Sequence, residues 1–91
     1  MAIPFYDRWS WGQFLRKPPI KEGKLLDVCC FYGEFLSIAV GMYDYKVKGI
    51  DINRAAVEQG RKKYGLELLS ITIEDFAKAY PKEKFDVVTF F

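Results

Sequence analysis

The chain has 91 residues, enough for one compact domain and no more, since a domain usually takes roughly 100 to 150 residues. Hydrophobic residues make up 51% and charged residues 29%, a balance that supports a packed core and excludes disorder along the whole chain. The formal charge is +2, and the densest basic run, Arg61-Lys62-Lys63, is too short to follow a phosphate backbone, so nucleic acid is not an expected partner. The N-terminus lacks a basic segment followed by an apolar run, and no stretch approaches the roughly 18 apolar residues that span a bilayer. Neither a leader nor a membrane span is therefore expected. Tyr6 to Lys17 reads as an amphipathic leading helix, with Trp9, Gln13 and Arg16 on a different face from Tyr6, Ser10, Phe14 and Leu15, and it stops at Pro18-Pro19. Residues 1–22 form this helix and a linker, and residues 23–91 form the core of a single domain. The aromatics concentrate at the two ends, Phe5 to Phe14 and Phe76 to Phe91, so both ends are expected to pack against something.

Lys24 to Cys29 is a short apolar run between Gly23 and Gly33 and reads as a buried strand. Cys29 and Cys30 are neighbours, where a mutual disulfide would strain the backbone; they read as reduced packing residues of a cytoplasmic protein. A zinc site needs four ligands and the chain has no histidine, so no metal is expected. A helix follows from about Gly33, and its apolar content (Phe35, Leu36, Ile38, Ala39, Val40, Met42) predicts cover on more than one side. Lys46 to Ile50 reads as a second strand ending at Asp51. Asn53 stands where its side chain can cap the next helix, which Gly65 stops. Arg61-Lys62-Lys63 is then a solvated face near that helix's C-terminus, where positive charge is favoured. Leu66 to Ile73 is a third apolar run, Glu74 to Tyr80 a short helix ended by Pro81, and Lys84 to Phe91 a fourth strand.

Strands separated by helices of this length pair in parallel through right-handed crossovers. The expected fold is therefore α/β: a Rossmann-like three-layer sandwich with a partial parallel sheet in the order 3-2-1-4, preceded by the leading helix. Ligands of such sheets bind outside the carboxyl ends of the strands, where strand order reverses, here between strands 1 and 4. The loop Cys29 to Gly33 meets that crevice with backbone amides at a helix N-terminus, which favour a negatively polarised group. Asp51 meets it with a carboxylate able to accept two ribose hydroxyls, which selects a bare ribose over a phosphorylated one.

These segments carry a resemblance. Leu26-Asp27-Val28-Cys29-Cys30-Phe31-Tyr32-Gly33-Glu34-Phe35 resembles the first motif of the class I S-adenosylmethionine-dependent methyltransferases, and Val47-Lys48-Gly49-Ile50-Asp51-Ile52-Asn53 resembles their second-strand motif. Thr72-Ile73-Glu74-Asp75 falls where that family places adenine contacts, and Phe85 to Phe91 is similar to its fourth strand. The resemblance runs from about Gly23 to the last residue, with four motifs in register. It implies S-adenosylmethionine as cofactor and a set of contacts to it. Asp51 holds the ribose, Cys29, Phe31 and Gly33 line the loop that cradles the methionine end, and Ile52 and Ile73 sandwich the adenine. Glu74 is a further adenine-side candidate, although an acid in a helix's first turn is favoured by the helix dipole in any case. Asp27 positions the cofactor's amino group, directly or through water, or else caps the loop.

Two departures from the family pattern matter. Cys29 and Phe31 stand where the family has glycine, and a residue with a side chain costs roughly 1 to 2 kcal/mol in a left-handed conformation. A Phe31 ring aimed at the cofactor blocks its methionine portion; a ring turned into the core does not. The resembled family also continues beyond its fourth strand with elements that carry most substrate contacts. The Lys84 to Phe91 strand is accordingly expected to be an exposed edge through which the chain pairs with a second copy.

No residue stands out as a catalytic base, and the methyl acceptor is not legible. The expected function is a methyl-donor-binding domain that needs a partner or further elements for activity. The alternative is an inactive binding or oligomerisation module in which Phe31 fills the cofactor space. The resemblance also implies a lid over the site formed by the leading helix with Trp9 and Trp11, against a simpler role for them as core or interface aromatics. A nicotinamide-dependent oxidoreductase fits less well, because Cys29 to Glu34 departs from the G-x-G-x-x-G turn.

Overall fold

The structure is a computed structural model that describes residues 11–90. Its elements in chain order are α1 (Trp11–Arg16), β1 (Glu22–Val28), α2 (Glu34–Met42), β2 (Asp44–Asp51), α3 (Arg54–Tyr64), β3 (Leu68–Ser70), α4 (Ile73–Ala79) and β4 (Val87–Phe90). The four strands are parallel and ordered β3-β2-β1-β4, the expected partial Rossmann-like sheet. Residues 6–10 of the expected leading helix, Trp9 among them, and Phe91 of the expected last strand lie outside the described residues.

Strand order explains the three layers. The crossovers β1→β2 and β2→β3 step in one direction, whereas β3→β4 steps back past β1. Keeping one handedness then requires the last helix to lie on the opposite face. The core divides accordingly. Phe35, Leu36 and Ala39 of α2, Val57 of α3 and Phe14 of α1 pack with Leu25, Leu68 and Val87 on one face. Phe76 of α4 packs with Leu26, Val28 and Ile50 on the other. Within β1 this alternation follows the strand's two-residue period.

The helix ends follow the chemistry of their caps. The Asn53 side chain accepts a bond from the Ala56 amide at 3.1 Å and Gly65 closes α3 in a left-handed conformation. Thr72 caps α4 in the same way, its hydroxyl accepting from the Asp75 amide at 3.1 Å. That cap ends the third strand at Ser70 and not at the expected Ile73, because Thr72 commits Ile73 to the helix; the strand also begins at Leu68 and not at Leu66. The fourth strand begins at Val87 and not at Lys84. Just before it, the Asp86 carboxylate accepts the Lys24 amide at 2.9 Å, while the Asp86 amide donates to the Lys24 carbonyl at 2.8 Å.

Cover on α2 is less complete than its composition predicts: Ile38, Val40 and Met42 are exposed, so its apolar excess is spent on one buried face only. Arg61, Lys62 and Lys63 are exposed in the last turn of α3, as expected, and Arg61 in addition donates its Nε to the Leu68 carbonyl at 2.6 Å, tying α3 to the edge strand. On the opposite face of the sheet, Lys48 is 8% exposed beneath α4. Its ammonium lies 2.8 Å from Glu83 and 3.3 Å from Glu67, over the rings of Phe76 and Tyr80. No helix among the described residues is long and apolar enough to cross a membrane.

Candidate functional site

Cys29 and Phe31 both adopt left-handed conformations, with φ of 64° and 54°, and Gly33 follows at 81°. The turn after β1 therefore alternates three left-handed residues, and two of them bear side chains that this conformation disfavours. Its geometry is held from outside. The Cys30 amide donates to the Ile50 carbonyl at 3.0 Å, and the Gly33 amide to the Cys30 carbonyl at 2.8 Å. The Phe31 amide donates to Asp51 Oδ2 at 2.8 Å, while Asp51 Oδ1 accepts the Asn53 amide at 2.8 Å. Asp51 thus faces the turn as the sequence predicts. The amides of Cys30, Phe31 and Gly33 differ from expectation: they are engaged within the protein and are not aimed at a ligand.

Gly60 explains how the turn packs so low against α3. A Cβ there would stand 2.1 Å from the Tyr32 carbonyl oxygen, so only glycine admits this approach. Neither Gly60 nor its partner could be singled out from sequence, because the contact joins segments that topology alone brings together.

Asp27, at 2% exposure, is the most buried acid of the site, and the Thr89 hydroxyl donates to its Oδ1 at 2.8 Å. Sequence reasoning missed Thr89. Its signal is the β1–β4 register, which sets Thr89 opposite Asp27 and becomes visible only once the strands are paired. Asp27, Cys29, Phe31 and Glu34 meet around a hollow of about 30 Å³, walled also by Trp11 and Tyr32. Trp11 packs on Phe35, with ring centroids 5.6 Å apart, so this residue is a core aromatic that also bounds the hollow.

Phe31 is 36% exposed, and its ring packs edge-on against Tyr32 with centroids 4.3 Å apart. It is not turned into the core. The two cysteines part company as well: Cys30 is buried among the core residues as expected, but Cys29 is exposed in the turn and is not a packing residue. Burial pushes the Cys30 thiol up to about 12, and the charges of Asp27 and Asp51 push the same way. Burial and the charges of Asp51 and Asp27 raise the Cys29 thiol.

Ile52 follows Asp51 and is 76% exposed, Ile73 opens α4 at 41%, and Glu74 is exposed in that helix's first turn. These three stand on the elements that leave the carboxyl ends of β2 and β3. Larger clefts lie elsewhere: one of about 590 Å³ beside Tyr32, Gln59, Lys63 and Tyr64, and one of about 1030 Å³ along Pro18 to Lys24. Neither is bounded by Asp27 or Asp51. Strand polarity favours the carboxyl-end crevice, and we assign the site there.

Comparison with known proteins bears on the family and the fold. The sequence matches the family described as "Methyltransferase domain" over residues 26–91, more than half of the chain. No curated protein matches it. Among solved structures, the YjhP protein of E. coli is similar, with a TM-score of 0.53 at 15% identity over 94% of this chain. A protein from Methanococcus maripaludis, provisionally described as an S-adenosyl-L-methionine-dependent methyltransferase, gives a TM-score of 0.49 at 13% identity over 87% of this chain. This chain spans 29% of the first protein and 31% of the second. Likeness at such identity concerns the fold alone. The match to residues 26–91, over the strands and turns that build the crevice, establishes that the chain belongs to the methyltransferase domain family.

Proposed function

We propose that this chain binds S-adenosylmethionine in the crevice between the turn at Cys29–Gly33 and the end of β2, as the cofactor-binding part of a methyltransferase. The observation that carries this reading is the position of Asp51. Each of its carboxylate oxygens accepts one backbone amide, which leaves each with acceptor capacity for a ribose hydroxyl. The exposed side chains of Ile52 and Ile73 offer apolar surface to an adenine, with Glu74 beside them. Asp27 and Glu34 supply negative charge at the methionine end. When bound, the cofactor supplies an electrophilic methyl group for direct displacement, which demands alignment of the acceptor more than proton transfer. The residues of this chain bind and orient; none of those described is placed as a general base. Activity then depends on elements beyond the crevice, and the acceptor is set by them.

A second reading is supported by the hollow itself. About 30 Å³ admits one water-sized group and not a methionine chain, and Phe31 and Tyr32 wall it. In this reading the chain is an inactive module that keeps the scaffold. Calorimetry with S-adenosylmethionine on the parent, Phe31→Gly and Asp51→Ala separates the two. Binding by the parent that Asp51→Ala abolishes supports the first; a silent parent that Phe31→Gly restores supports the second.

We also propose that β4 pairs with a second copy of the chain. Val87 to Phe90 carries no charged residue, and Phe90 is 47% exposed. Light scattering of a stable monomer at micromolar concentration overturns this. A reducing cytoplasmic setting is proposed on the two free thiols.

A further inference from the structure

We infer that the cleft of about 590 Å³ on the α3 side of the turn is a second small-molecule site, which takes a planar aromatic ring bearing one anionic group. Two of its lining residues are tyrosines. Tyr32 rests its backbone on α3 at Gly60, where a Cβ would stand 2.1 Å from the Tyr32 carbonyl oxygen, and Tyr64 follows Gly60 by four residues on the same helix face. About 6 Å, one helical turn, separates the two positions, so both rings are within reach of one planar group. Tyr32 keeps 39% of its surface exposed, which its packing against Phe31 leaves uncovered. Lys62 and Lys63 supply the charge: both are exposed, and among the described residues neither is ion-paired. The Lys63 ammonium lies 5.3 Å from the centroid of the Tyr64 ring, which sets a cation beside the aromatic wall. A helix dipole favours cations in a last turn, but it calls for no aromatic wall next to them. Glu34, exposed in the first turn of α2, and Gln59 also line the cleft. The carboxylate repels a second anionic group and accepts an N–H or O–H from the ring; the amide donates or accepts. The volume falls within the roughly 300 to 1,000 Å³ that small-molecule sites occupy. Asp51, Ile52 and Ile73 take no part in the lining, so the inference stands apart from the cofactor reading.

The test is titration of the whole chain with phenyl phosphate, followed by two-dimensional amide NMR, with phenol and inorganic phosphate as the separate halves of the probe. Saturable shifts centred on Tyr32, Gly60, Lys63 and Tyr64 are expected, with a Kd of about 1 mM or tighter and each half at least about tenfold weaker. Lys62→Gln combined with Lys63→Gln is expected to weaken phenyl phosphate about tenfold. Lys78→Gln combined with Lys82→Gln removes the same charge from exposed positions elsewhere and should change it by less than about twofold. Tyr64→Leu tests the ring, with a loss of about fivefold expected; should that variant fail to fold, the two lysine pairs still decide the matter. Inorganic phosphate or phenol binding as tightly as phenyl phosphate, equal losses from the two lysine pairs, or shifts that do not saturate each overturn the site. Shifts centred on Asp51 and Ile52 overturn it as well and leave the crevice reading standing. Silence toward S-adenosylmethionine in the same protein removes the cofactor reading and not this site.

Discussion

The Asp51 carboxylate accepts the Phe31 amide at 2.8 Å, tying the end of the second strand to the turn after the first. Phe31 can hold a left-handed conformation because this bond, together with that of the Cys30 amide to Ile50, restrains the turn from the neighbouring strand. The acid is therefore structural before it is anything else, and its replacement acts on stability as well as on binding.

Asp51→Ala removes the acceptor of both the Phe31 and Asn53 amides. Hydrogen bonds to a charged group contribute about 1.5 to 3 kcal/mol each, reduced here by partial exposure, so urea denaturation is expected to show a loss of about 2 to 3 kcal/mol. Asp51→Asn keeps one acceptor oxygen and should lose about half as much.

The left-handed turn allows a gain. Cys29→Gly relieves a conformational cost of roughly 1 to 2 kcal/mol and adds about 0.5 to 1 kcal/mol of backbone entropy to the unfolded chain, for a net stabilisation of up to about 1.5 kcal/mol. Cys29→Ala keeps the cost and should leave the denaturation midpoint nearly unchanged. Equal midpoints for the glycine and alanine variants would count against strain at this position.

Two helix glycines should respond oppositely to alanine. Gly60→Ala drives a Cβ to within 2.1 Å of the Tyr32 carbonyl, a backbone atom that cannot swing aside, and is expected to cost about 3 kcal/mol or more. Gly41→Ala meets nothing within 4 Å and should stabilise α2 by about 0.5 to 1 kcal/mol. Thermal melts of the two variants should therefore move in opposite directions.

Lys48 predicts a pH window. Burial penalises its charge, but hydrogen bonds and charges from Glu83 and Glu67 outweigh that, and its proton affinity is raised. The hydrogen bond from Lys48 holds the Glu83 carboxyl below its ordinary 4.5. Stability from Glu83 is present above that value and lost as pH falls through the depressed one; stability from Lys48 is present below its ordinary 10.5 and lost as pH rises through the raised one. Denaturation midpoints should be flat between these limits and fall outside them. Glu83→Gln leaves the ammonium with Glu67 alone and should destabilise more than Lys48→Met, which fills the space under Phe76 and Tyr80 with an apolar chain and is expected within about 1 kcal/mol of the parent.

The thiols should separate on alkylation at pH 8. Cys29 is exposed and is expected to react slowly, its raised proton affinity keeping the thiolate scarce; Cys30, buried and pushed up to about 12, should react only in denaturant. Mass spectrometry of the singly modified native protein checks the assignment.

Much of this was legible in the linear order of residues, because it depends on local chemistry. Asn53 and Gly65 bound α3 through cap geometries that any chain adopts with those residues, and alternating strands and helices dictate a parallel sheet whatever the side chains do. The placement of Asp51 at a strand end was readable for the same reason. What required the folded chain was every relationship between residues distant in sequence. The Asp27–Thr89 bond needs the β1–β4 register, the approach of Tyr32 to Gly60 needs α3 laid against the turn, and the outward setting of Phe31 needs the Asp51 carboxylate already in place. Local propensity decides where elements start and stop; only packing across the sheet decides which side chains then share a site, since register and close approach are set by contacts that no window of neighbouring residues contains.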